Sequence, residues 1–198
     1  MNTRLLAACL LLACAAAPAA DPAAAPVPAS QDPLVPAGFG TLRQDEITVS
    51  IREGSLLIKV TPLDEGVIRL LAPDTYQRLH ALAENRRADA AAAASEPALF
   101  LVSFFSYQPT TAFQQENLQL SYQGRLLQPV AVFPLTTGFG RPVLEQQENQ
   151  SAIYVFDGQL DFQQRFVVRY GATDSGDWTA IIPKLDVERA KVRARAGG

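Results

Sequence analysis

From Glu46 to Arg52 the chain alternates between polar and apolar residues, and beyond Glu53-Gly54 the residues Leu56, Ile58 and Val60 resume the same spacing on one face. A period of two buries one face of a strand and no coherent face of a helix. This stretch is therefore expected to be a hairpin. Gly54 supplies the conformational freedom for a two-residue turn. With Glu53-Gly54 as that turn, Ile51 faces Leu56, Val49 faces Ile58 and Ile47 faces Val60. All three pairs fall on one side, and a slip of one residue would expose them all.

The same signature recurs downstream. Leu118 to Tyr122 runs through Gln123-Gly124 into Arg125-Leu126-Leu127, a second hairpin. Val67–Leu71, Val130–Phe133, Ala152–Phe156, Phe166–Tyr170 and Trp178–Ile182 read as further strands. Ala98 to Tyr107 is apolar on both faces, so both faces are expected to be covered. Phe100, Val102 and Phe104 point to one side; Leu99, Leu101, Phe105 and Tyr107 point to the other. One helix interrupts the series. Pro73-Asp74 marks its start, with Asp74 as the N-cap, and Tyr76, Leu79, Ala83 and Ala90 share a face. The pattern predicts a helix over 74–90, ordered to about Ala88. Eight or nine short strands around one inserted helix predict a mostly β fold, an antiparallel β-sandwich. Its architecture is loosely immunoglobulin-like, without the Cys-Trp-Cys signature of true immunoglobulin domains.

The N-terminus carries an address. Met1-Asn2-Thr3-Arg4 is a short positive start, and Leu5–Ala13 is an apolar run too short to span a bilayer, which takes about 20 residues. Leu11-Leu12-Ala13-Cys14 resembles the bacterial lipobox, in which the signal is cut before a cysteine that carries diacylglycerol. The resemblance implies lipidation at Cys14 and, with Ala15 rather than Asp after it, an outer-membrane lipoprotein facing the periplasm or the surface. Cleavage after Ala17-Pro18-Ala19 is the alternative, and it would release a soluble periplasmic or secreted protein. The expected organisation is a signal peptide over 1–13, an Ala/Pro-rich tether over 14–35, a β-sandwich domain over 36–183 and a basic tail over 184–198. At about 3.1 Å per residue in polyproline II, some 20 residues of tether reach roughly 60 Å.

Cys9 and Cys14 are the only cysteines. The folded part therefore has no disulfide, thiolate nucleophile or cysteine-based metal site. The chain carries a formal net charge of -3. From Lys184 onward five basic residues face Asp186 and Glu188, so the tip is basic and the body acidic, which argues against nucleic acid as partner.

Motifs for chemistry are sparse. There is no Gly-x-Ser-x-Gly elbow, Walker loop or His-Glu-x-x-His. His80 is the only histidine. It lies next to the helix's apolar stripe with no partner at obvious spacing, so it reads as a packed or rim residue, and a histidine-rich metal site is excluded by count. The sequence assigns no catalytic residue, no metal ligand and no cofactor. Asp174-Ser175-Gly176-Asp177 reads as a turn. Glu145, Glu148, Asp157 and Asp161 are the carboxylates a hydrolase would draw on, and spacing selects none of them. The binding loop favoured by the sequence is Phe133–Gln150, with Phe139 as apolar contact and Arg141 as polar partner; a Phe139 tucked into the end of the sandwich is the competing reading. The many glutamines, with Tyr107, Tyr122, Tyr154 and Trp178, could read a glycan such as peptidoglycan. They equally serve as uncharged polar filler. The leading expectation is a non-catalytic, lipid-anchored binding or accessory subunit for another envelope component. A glycan-binding module is the alternative.

Overall fold

Alternation over Val49–Pro62 does become a hairpin, with its register displaced from the expected one. The computed structural model describes residues 34–197. The signal, Cys14 and all of the tether before Leu34 lie outside the described residues. In chain order the elements are β1 (Val49–Glu53), β2 (Leu56–Pro62), α1 (Glu65–Ile68), α2 (Pro73–Ala93), β3 (Pro97–Ser106), β4 (Thr111–Ala112), β5 (Leu118–Tyr122), β6 (Arg125–Leu127), β7 (Pro129–Pro134), β8 (Val143–Leu144), β9 (Asn149–Asp157), β10 (Phe166–Tyr170), β11 (Thr173–Ser175) and α3 (Trp178–Ala196).

In the first hairpin Ile51 pairs with Ile58 and Val49 with Val60, while Glu53 pairs with Leu56. The turn is Gly54-Ser55, and Gly54 takes φ +57°. The register differs from the expected one by two residues. Pleat parity is unchanged, so the same apolar side chains still face the core. Ile47 precedes the strand, in a 3₁₀ turn over Gln44–Ile47, where it is nonetheless buried.

One antiparallel sheet has the order β1-β2-β3-β9-β7, a second the order β11-β10-β5-β6, and β4 pairs with β8 apart from both. The fold is mostly β and sandwich-like, as expected. Rings from the two large sheets meet between them. Phe100 of β3 touches Phe166 of β10, and Phe104 touches Tyr170. β3 is the third of five strands and fulfils the two-sided expectation. Phe100, Val102 and Phe104 are fully buried on the inner side. On the outer side α2 lies against the sheet, where Ala90, Ala94 and Val155 are buried together and Leu99, Ala131 and Phe133 pack around them. The edge strand β7 begins and ends with proline, which withholds donors from any further strand.

Three corrections to the sequence reading are physical in origin. Val67–Leu71 is no strand: α1 is a single helical turn, and Leu71 makes only an isolated bridge to Leu42. The apolar run is buried all the same, and burial is what its composition required. Asp74 is not the N-cap of α2. Ala72 holds that position, Pro73 occupies the first turn where a missing N–H costs nothing, and the helix continues to Ala93. The third correction concerns Trp178–Ile182 and the tail expected to follow it. These form one helix, α3, with Trp178, Ile181, Leu185, Glu188 and Val192 buried. Pro183 removes one internal hydrogen bond from that helix.

The chain enters the fold through a tight junction. Gly40 lies so close to β-bridge residue Leu71 and its neighbour that an added Cβ would sit 2.2 Å from the carbonyl carbon of Leu70. Thr41 donates to Oε1 of Glu188 through its amide at 3.0 Å and its hydroxyl at 2.9 Å. Arg195 bridges the same oxygen and the carbonyl of Phe39.

Candidate functional site

Glu65 opens α1, directly after the buried end of β2, and α2 passes alongside. Tyr76, His80 and Glu84 succeed one another at intervals of four along α2, so they share a helix face. Oε2 of Glu65 accepts from Nε of Arg69 at 2.6 Å and from the Tyr76 hydroxyl at 3.4 Å. Oε1 lies 2.5 Å from Nδ1 of His80. With the carboxylate as acceptor, that nitrogen carries the proton. The Tyr76 and His80 rings stack at 5.2 Å between centroids. Beyond them Arg87 pairs with Glu84, its Nε 3.1 Å from Oε2.

Burial acts on Glu65 to raise its pKa, but hydrogen bonds from Arg69 and His80 outweigh it and hold the carboxyl below the ordinary range. Asp64, one residue earlier, goes the other way. Burial pushes it up, and the adjacent Glu65 charge adds to the shift, against the backbone amides of Gly66 and Val67. Two neighbouring carboxyls thus have opposite tendencies, an arrangement that concentrates at functional sites.

Both carboxyls border a cavity of about 390 Å³. Its walls come from α1, from Ala83 and Arg87 of α2, from the start of β3 (Pro97–Leu99) and from the connection after β9 (Gly158–Leu160, with Phe162). An apolar floor with a few converging polar groups is the usual form of a small-ligand site, and the volume lies at the lower end of the ordinary range.

Phe139 and Arg141 sit at a different place. Phe139 is half-buried, with its ring 6.3 Å from that of Phe104 and 6.5 Å from those of Phe113 and Tyr154, so it closes the end of the sandwich. Arg141 pairs with Glu148, which also accepts from the amide of Glu145 and from Gln150. Gln150 in turn holds the Gly140 amide, so the loop is fastened to itself. The four carboxylates considered for hydrolysis do not share one site. Glu145 and Glu148 belong to this loop, Asp157 accepts from the Glu96 amide and Asp161 from the Gln163 amide. Asp174 is committed to Arg169 through two hydrogen bonds.

Sequence reasoning missed Glu65, because it borders a stretch read as a strand and lies fifteen residues from His80. The four-residue spacing of Tyr76, His80 and Glu84 was available as a signal. His80 proves to be a rim residue, its side chain 37% exposed, and it has a carboxylate partner. Comparison of the chain with protein-family models, with curated proteins and with solved structures finds no match.

Proposed function

We propose that this chain is a lipid-anchored protein of the bacterial envelope: exported, held at the outer membrane through Cys14, and carrying a non-catalytic domain that binds another envelope component. The observation that carries the binding half of the reading is the cavity beside α1, with Asp64, Glu65 and Arg87 converging on an apolar floor. The anchoring half rests on the lipobox-like Leu11-Leu12-Ala13-Cys14 and the Ala/Pro-rich stretch after it. The Gly40, Thr41 and Glu188 junction suits such a tether. Tension on the N-terminal segment would be taken up by the part-buried hydrogen bonds of Thr41 to Glu188 and by close backbone packing at Gly40, not by a fraying end.

The test is a pair of measurements in cells of a double-membrane bacterium. Cys14→Ser is expected to move the protein from the membrane to the soluble fraction. A photo-crosslinking residue at Gln159, on the cavity wall, is expected to give a discrete adduct that Leu160→Arg abolishes, while the same probe at Gln119 gives none. Identical adduct patterns from the two positions would remove the cavity as the contact surface.

A further inference from the structure

We propose that Glu65, His80 and Glu84 form a site for a divalent transition-metal ion of the zinc class. One ligand atom from each of the three lies within 4.8 Å of the others. The convergence is built by the fold. α2 presents His80 and Glu84 one turn apart on one face, and α1 brings Glu65 against them from fifteen residues earlier in the chain. One imidazole nitrogen with two carboxylate oxygens is a donor set that zinc accepts; calcium and magnesium favour oxygen alone. Three protein ligands leave a fourth tetrahedral position for water or for a donor atom of a bound molecule. Glu65 also borders the cavity, so that position belongs to the same region of the surface.

The surroundings would orient these ligands. Arg69 and Tyr76 both engage Oε2 of Glu65 and leave Oε1 to the metal side. The Tyr76 ring stacks on His80 and fixes the plane of the imidazole. Arg87 holds Glu84. Hydrogen-bonded partners of this kind are the usual outer shell of a metal site. The two guanidinium groups do not exhaust the carboxylates, because each carboxylate offers about four lone-pair positions. On loading, the ion takes the place of the proton between Nδ1 of His80 and Oε1 of Glu65, and the neutral imidazole carries its one N–H on Nε2 instead.

The experiment uses the full chain carrying Cys9→Ser and Cys14→Ser, which removes every thiol and leaves His80 as the only imidazole. Titration with zinc chloride, followed by calorimetry and thermal melting, is expected to show one ion per chain and a saturable rise in Tm. An equal concentration of magnesium should produce neither. His80→Gln and Glu84→Gln, each checked for an unchanged circular-dichroism spectrum, should each weaken zinc binding by about 100-fold or more. Arg69→Met, acting through Glu65, should weaken it by about 10–100-fold. Glu84 is an exposed residue of a long helix, so its variant remains informative if His80→Gln fails to fold. Absence of saturable zinc uptake by the parent chain overturns the proposal, and so does uptake that is unchanged in Glu84→Gln.

Discussion

Between the two sheets, Phe100, Phe156, Phe162, Phe166 and Trp178 fill the space ring against ring, with centroids 4.8–6.1 Å apart. Across the outer face of the same central strand the filler is alanine. Ala90 of α2 and Ala94 at its C-terminal cap come down on Val155. The inner region gains from area, at about 25 cal/mol per Å² of apolar surface. In the outer region the helix backbone can approach the sheet because the side chains there are small, and Leu99, Ala131 and Phe133 complete the contact. Glu65, Arg69, Tyr76 and His80 fasten α1 to α2 there. The contrast explains where a site could develop. Ionisable groups find partners and partial access to water at the helix layer, whereas in the ring-filled interior they would be stranded.

Three substitutions would break or sharpen that contrast. Phe104→Ala should have the largest effect, a loss of about 3–5 kcal/mol, because the surrounding rings cannot collapse into the space left. Urea unfolding measures it, and a loss below 1 kcal/mol would mean that the interior is far softer than its rings suggest. Ala90→Leu should cost about 1–3 kcal/mol through overpacking between α2 and the sheet. A neutral result would show that the helix rides loosely on β9. The smallest effect concerns Glu188, a buried carboxylate at the junction. Burial pushes its pKa up, but hydrogen bonds from Arg195 and Thr41 prevail and hold it below the ordinary value. A depressed carboxyl contributes stability that is present above its unfolded pKa and lost as the pH falls through the folded one. The stability difference between the parent and Glu188→Gln should therefore shrink on going from pH 7 toward pH 3. A difference that stays constant would assign the loss to packing alone.

Much of the sandwich could be read from local pattern. Both hairpins, the two-sided apolar strand at Ala98–Tyr107 and the helix after Pro73 all stand near their expected places, because alternation and helical spacing report burial directly. Two apolar runs misled for the same reason. Val67–Leu71 and Trp178–Ile182 are each about five residues long, and a run that short is apolar in either conformation. For the second, the signal lay further on. Trp178, Ile181, Leu185, Glu188 and Val192 follow the three-four spacing of a helix stripe, which Pro183 and the charges of the C-terminal end obscured. The cavity and the Glu65–His80 contact left no local trace. Phe139 and Arg141 were legible as a loop, and the phenylalanine tucked into the end of the sandwich was one of its two readings; what left no trace was that the arginine is already paired with Glu148.

By itself, then, the sequence determined which side chains face inward and where the chain must turn. Both follow from the pleat and from the φ that Gly54 permits, and neither depends on distant residues. The tertiary structure decided the two-residue displacement of the first hairpin, the conversion of one apolar run into a long helix and of another into a helical turn and a bridge, and the meeting of Glu65 with His80. Each of these depends on which partner lies opposite, and a carboxylate and an imidazole fifteen residues apart meet only when α1 and α2 have both found the sheet they cover.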